Sequence, residues 1–189
     1  DNPFRLSAAA DASFADCEDT KRSTLGWCQW LGDMDNGDIS WGSRIGKTVA
    51  LSTTESEVQA ALELTKDVLW MRDFLKELGY EQKGSTRILE DNNGCMGQAT
   101  NTKGMKKARH YLVALAKLNE AVQAQKIHLF RIDSNENKAD QMTKGLGGSL
   151  HIKFGTWNTG YNLSFLKRNW VKARIQSSSS GDSFHEYDG

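Results

Sequence analysis

Residues 52–79 read STTESEVQAALELTKDVLWMRDFLKELG, and the fold is decided here. Ser52 followed three residues later by Glu55 is a capping box, in which the serine side chain accepts from a backbone N–H of the first helical turn. Such a cap is worth about 1 kcal/mol to the helix it opens. Downstream, Ala61, Leu64, Val68, Met71, Leu75 and Leu78 recur at the three-and-four spacing of one helical face, and Gly79 stops the pattern. The spacing predicts a helix over roughly 54–78. Counting back from Ala61 by four places Glu57 on the same stripe, so a carboxylate stands where the core face begins. Glu55 is expected to point elsewhere. A lone glutamate at such a place more commonly reaches solvent, so the weight of Glu57 depends on its company.

Upstream of this helix, Leu6 to Phe14, Thr24 to Leu31 and Ile39 to Arg44 are short apolar or β-prone runs. Polar clusters separate them, at Asp16 to Arg22 and at Asp33 to Asp38, which predicts a three-stranded meander. Downstream, Thr86 to Glu90 reads as a fourth strand ending at Asp91-Asn92-Asn93-Gly94, with a short helix after it. Met105 to Gln125 reads as a helix, Ile127 to Ile132 as a fifth strand, and a last helix starts near Asn135 to Asn137. Three strands, a helix, a strand, two helices, a strand and a helix imply an α/β layered domain with a mixed sheet. Trp27, Trp30, Trp41 and Trp70 are expected to pack in the core or on the sheet.

The 189 residues are 38% apolar, enough for one core, and 24 basic residues balance 24 acidic ones. Contact with a polyanion must therefore come from a local basic surface and not from net charge. Cys17, Cys28 and Cys95 are odd in number and lack a C-x-x-C spacing, which implies reduced thiols in an intracellular compartment, without disulfide or zinc. No run approaches the ~20 apolar residues of a membrane span. A first residue other than methionine suggests a segment of a longer polypeptide. We divide the chain into a domain over 1–150, a basic and aromatic extension over 151–174 that includes Lys167-Arg168-Asn169-Trp170, and a Ser-rich tail over 175–189 expected to be disordered.

Three aspartates keep Glu57 company: Asp11 in the first strand, Asp91 at the end of the fourth, and Asp140 in the first turns of the last helix. Each has a local explanation as a bulge, turn or helix-dipole residue, but all four together are harder to explain that way. If they converge, like charges ~4 Å apart repel by about 4 kcal/mol at an effective dielectric near 20. A pair of divalent cations would relieve this. Oxygen-only ligands favour Mg2+ or Mn2+, and two such ions can clamp both oxygens of an in-line phosphoryl displacement.

The strings that carry these acids resemble the ribonuclease H domain of copia-type retrotransposon Pol polyproteins. They are Ala10-Asp11-Ala12-Ser13, DTKRSTLG from Asp19, Ile39-Ser40-Trp41, TVALSTTESEV from Thr48, LWMRDFLKELG from Leu69, EDNNG from Glu90 and KADQMTKGL from Lys138. The resemblance covers residues 6–146. The resemblance implies a ribonuclease H-like fold, a five-stranded mixed sheet flanked by helices. It makes Asp11, Glu57, Asp91 and Asp140 the catalytic, metal-ligating residues for two Mg2+ ions, with Mn2+ as a substitute. The implied activity is an endonuclease that hydrolyses the RNA strand of RNA/DNA hybrids, leaving 5′-phosphate and 3′-hydroxyl ends. Its partners would be the hybrid and the upstream reverse transcriptase domain of the same polyprotein, in a cytoplasmic particle or the nucleus. Lys103, Lys106, Lys107, Arg109 and His110 become phosphate contacts on the nucleic acid, the alternative being a solvated lysine-rich helix start.

The chain departs from the family pattern in three places. Glu90 stands where relatives carry a small or apolar residue, which predicts an altered grip on substrate. Tyr111-Leu112-Val113-Ala114 lacks the usual following aspartate, and 133–139 holds no histidine, which predicts slower turnover than a cellular enzyme. The rival readings are a non-catalytic hybrid-binding or connector module from a decayed element, and another enzyme on the same fold. Retention of all four acids argues against decay. A sugar-kinase-like domain would need glycine-rich phosphate loops that are not found, and integrase-like sites use three acids where four stand here.

Overall fold

The strand Leu6–Ser13 (β1) runs through three consecutive alanines because it lies at the middle of a sheet covered on both faces. Ala8, Ala9 and Ala10 are fully buried. A computed structural model describes residues 4–100 and 111–161. In chain order the elements are β1, β2 (Thr24–Leu31), β3 (Asp38–Ile45), α1 (Thr53–Glu77), β4 (Thr86–Glu90), α2 (Asn93–Thr100), α3 (Leu112–Gln123), β5 (Ile127–Arg131), two 3-10 turns (Ser134–Glu136 and Lys138–Met142) and α4 (Gly148–Thr159). The five strands lie in the order β3-β2-β1-β4-β5. β1, β2 and β3 pair antiparallel, whereas β4 joins β1, and β5 joins β4, in parallel. The expected mixed sheet with flanking helices is what forms.

Strand alternation sorts the core into two layers. Ala8, Ala10 and Trp27 face a layer filled by Val58, Ala61, Leu64, Val68, Met71 and Leu75 of α1 and by Leu115 and Leu118 of α3. Ala9, Cys28, Trp30 and Leu89 face the other way, against Ala139 of the second 3-10 turn. Ser52 caps α1 by accepting from Glu55 N at 3.1 Å. The Glu55 carboxylate returns to Leu51 N at 2.8 Å, one residue short of the reciprocal partner in a capping box. It therefore points away from Glu57, as expected.

Four expectations need correction. Leu78 is 55% exposed because it is the C-cap of α1 and lies past the last buried turn. Trp41 and Trp70 are exposed as well: Trp70 stacks on Phe74 along the outer side of α1, and Trp41 projects from the edge strand β3. No single helix begins near residue 135. The Asp133 side chain accepts from Asn135 N, and the Asn137 side chain accepts from Ala139 N with its own backbone extended (ψ 98°), so each residue starts a separate short turn. The α-helix begins only at Gly148 and runs across residue 150 to bury Phe154. The helix expected over 105–125 is seen from Leu112 to Gln123. Residues 105–110, the basic stretch from Lys167 and the tail over 175–189 lie outside the described residues.

Candidate metal centre

Parallel pairing of β1 with β4 aligns Ala9 with Leu89. Continuing that register by two residues sets Asp11 beside Asp91, just past the end of β4. Glu57 enters from above, near the start of α1 on its buried stripe. The result is that carboxylate oxygens of Asp11, Glu57 and Asp91 all lie within 4.8 Å of one another. Asp11 is 2% and Glu57 6% exposed. Asp91 is half-buried and accepts from Ser134 Oγ at 2.6 Å.

Asp140 comes from the 138–142 turn and not from an α-helix. It stands on the Asp11 side of the cluster, where Lys144 Nζ lies 3.0 Å from Asp140 Oδ1 and 3.6 Å from Asp11 Oδ2. Thr143 Oγ1 also donates to Asp11 Oδ2. All four predicted acids therefore converge, three in one tight group and the fourth beside Asp11. Lys103, Lys106, Lys107, Arg109 and His110 lie outside the described residues.

A fifth carboxylate, a departure from the family pattern in the sequence, lies next to Asp91. Glu90 is fully buried and so has no exposed surface with which to touch a substrate. Its Oε1 accepts from Asn92 N at 3.0 Å, while its Oε2 and the Oε2 of Glu57 are buried without a hydrogen-bond donor among the described residues. The one sequence signal for this burial is that Glu90 alternates with Ile88 on a strand whose facing residues fill the core.

The electrostatics follow from this crowding. Burial pushes the Glu57 carboxyl up to about 10, with Glu90, Asp11 and Asp91 adding to the effect. Burial, and then the Asp91 and Asp11 charges, raise Glu90 to about 8. Asp140 rises to about 7 through burial and then through Asp11. Burial works against the Lys144 ammonium, but Asp11 and Asp140 outweigh it and hold the group above its usual range. Orphaned buried carboxylate oxygens and an oxygen-only donor set suit hard divalent cations. The donor set fits Mg2+ or Mn2+.

No family model matches the chain. It is 34% identical over 139 residues to the retrovirus-related Pol polyprotein from transposon TNT 1-94 of Nicotiana tabacum, an alignment covering 74% of this chain and 10% of that protein. It is 26% identical over 155 residues to the corresponding polyprotein from transposon RE1 of Arabidopsis thaliana, covering 82% of this chain and 10% of the relative. The chain thus spans about a tenth of the length of these curated relatives. Among solved structures, a ribonuclease H1 isolated from compost superposes with a TM-score of 0.55 at 12% identity, over 74% of this chain and 93% of that one. A crystal structure of a ribonuclease H1 in complex with RNA/DNA hybrid gives 0.51 at 12% identity, over 73% and 93%. The N-terminal ribonuclease H domain of a Mycobacterium tuberculosis protein gives 0.50 at 13%, over 74% and 91%. At these identities the likeness is one of fold.

Proposed function

We propose that this chain, which belongs to the copia-type retrovirus-related Pol polyproteins and has the fold of ribonuclease H, hydrolyses the RNA strand of RNA/DNA hybrids at a site formed by Asp11, Glu57, Asp91 and Asp140. The observation that carries the reading is the convergence of Asp11, Glu57 and Asp91 within 4.8 Å, from a strand, a helix and a strand end far apart in sequence. Burying like charges so closely costs stability unless cations are held. Two divalent cations, Mg2+ with Mn2+ as a substitute, would activate water and neutralise the leaving oxygen. Asp11, Glu57 and Asp91 would hold them, with Asp140 completing the set beside Asp11. Thr143 keeps the Asp11 carboxylate oriented by donating to Oδ2. Lys144 balances the Asp11 and Asp140 charges and sits half-exposed, where it can meet a phosphate.

Around this site, Lys103, Lys106, Lys107, Arg109 and His110 would contact phosphates of the hybrid, and ribose 2′-hydroxyls would mark the strand to be cut. The domain would work beside the reverse transcriptase of the same polyprotein, in a cytoplasmic particle or the nucleus. Among the described residues no helix is long and apolar enough to cross a membrane. The substrate class is tested with end-labelled RNA/DNA hybrid, single-stranded RNA and duplex RNA in Mg2+. Selective cutting of the hybrid's RNA strand, with 5′-phosphate and 3′-hydroxyl ends, is expected. Equal cutting of duplex RNA would contradict the assignment.

Glu90 gives a further expectation. Its charge helps to hold the Glu57 carboxyl near 10. Glu90→Gln keeps an acceptor for Asn92 N and removes the charge. Above pH 8, where Glu90 carries its charge, the variant should bind Mn2+ roughly tenfold more weakly, because the cation loses a nearby buried anion. Unchanged Mn2+ isotherms would show that Glu90 does not act on the site.

A further inference from the structure

Beneath the 138–142 turn lies a charged pair that the site described above does not use. Lys138 is fully buried, a rare state for lysine. Its Nζ lies 2.6 Å from Asp38 Oδ1 on β3, donates to Met34 O at 2.9 Å, and sits 4.2 Å over the ring of Trp30, which is itself fully buried. The Asp38 side chain is 1% exposed. A buried ion pair is weak evidence for stability, since desolvation offsets most of its attraction. What it does supply is a fixed position for the backbone that carries it.

That backbone carries Asp140 two residues later. The ends of the turn are closed by Asp140 N to Asn137 O at 3.1 Å and by Thr143 N and Lys144 N to Asp140 O, both at 3.2 Å, but turns of this length are not stable by themselves. Its place is set from outside. On one side Asn137 Nδ2 donates to Ala10 O at 2.8 Å, one residue before Asp11. On the other, the turn rests on bare backbone at Gly26, the residue paired with Asp11 across the sheet. A Cβ at Gly26 would meet Thr143 Cγ2 at 2.5 Å, Met142 Cβ at 2.8 Å and the Met142 carbonyl carbon at 3.1 Å.

We propose that Lys138 and Asp38 are positioning residues for Asp140: their buried pair under Trp30, opposed by the contact at Gly26, fixes the 138–142 turn and with it the place of the fourth carboxylate. Neither residue touches substrate. Both act through the turn. A displacement near 1 Å at a catalytic group can cost about 100-fold in rate, so this anchor governs turnover more than substrate affinity. The link to turnover rests on the function proposed above, whereas the anchoring itself does not.

The test therefore reads the turn and the activity separately. The double variant Lys138→Met with Asp38→Leu removes both charges together and leaves apolar side chains of similar size, an exchange that buried ion pairs commonly tolerate. Gly26→Ala presses on the turn from the other side and leaves every charge in place. Backbone hydrogen exchange is measured on both variants, along with Mn2+ binding and hybrid cleavage. Expected in each is a loss of protection of about tenfold or more at the Asp140, Thr143 and Lys144 amides while the β1 and β4 amides keep theirs, with weaker Mn2+ binding. The cleavage kcat should fall about 100-fold at unchanged KM for the hybrid.

Protection and Mn2+ affinity equal to the unaltered chain would overturn the anchoring role. Loss of folding in both variants would overturn it too, since the pair would then hold the domain and not the turn. An unaltered chain that cuts no hybrid would remove the proposed function. Selective deprotection of the turn in the variants would still establish the anchor.

Discussion

Glu57→Gln is expected to abolish hybrid cleavage and, in the same molecule, to raise the melting temperature measured in EDTA. The two effects share one cause. Without cations the Glu57 carboxyl is pushed up to about 10, chiefly by burial and then by Glu90, Asp11 and Asp91. At pH 7 the folded chain must therefore protonate a group that is ionised when unfolded. Each pKa unit between the unfolded value and the working pH costs about 1.4 kcal/mol. For a group this buried, on the order of 2–3 kcal/mol is recovered when a neutral amide takes its place. That corresponds to about 5–10 °C for a domain of this size. The same amide cannot serve as an anionic ligand, and cleavage should fall on the order of 1000-fold, or about 4 kcal/mol of barrier. A variant that is less stable and equally active would show that Glu57 is an ordinary core residue.

The stability of the metal-free protein should fall as pH rises from about 5 to about 9. Glu57 at about 10, Glu90 at about 8 and Asp140 at about 7 all lie well above the range of carboxyls in an unfolded chain. Between those limits the folded state binds more protons than the unfolded state, so the slope of unfolding free energy with pH is negative. Stability is full below the unfolded carboxyl range, near pH 4, and is lost stepwise as Asp140, then Glu90, then Glu57 must ionise or hold a proton at increasing cost. Glu90 alone, fully buried, should contribute on the order of 3 kcal/mol of this loss by pH 8. Saturating Mn2+ should reverse the trend, adding little at pH 5 and most at pH 8, because cations and protons compete for the same oxygens. Thermal unfolding at pH 5, 7 and 9, in EDTA and in Mn2+, measures this directly. A flat profile in EDTA would mean that the carboxylates are solvated and not clustered.

Much of the fold was legible because strong local signals agreed with the tertiary result. β2 and β4 begin and end where their turn residues place them, and α1 follows its cap and its stripe. Glu57 was legible for the same reason, since helical periodicity alone puts it over the sheet. Asp140 lies beside Asp11, but on a 3-10 turn and not on the helix that the sequence predicts. Its segment starts twice, at Asp133 and at Asn137, and side-chain caps of that kind leave the choice between one helix and two short turns to tertiary contacts.

Lys138 and Asp38 were not legible at all. They are separated by a hundred residues and meet only because β3 and the 138–142 turn pack on the same face. Trp41 and Trp70 misled in the opposite direction. Large aromatics are usually covered, but β3 is the edge strand and Trp70 lies off the buried stripe of α1. Glu90 is an unusual residue at its place in the sequence, yet a sequence does not say which side of a strand faces the acids.

The measurement closest to the central claim is cleavage of a labelled RNA/DNA hybrid by the full chain and by Asp91→Asn, each in Mg2+, Mn2+ and EDTA. Cutting that requires the cation and disappears in Asp91→Asn would bear out a carboxylate-held, metal-dependent nuclease. Cutting that survives EDTA or the substitution, or hybrid binding without any cutting, would contradict it and leave a ribonuclease H fold put to another use.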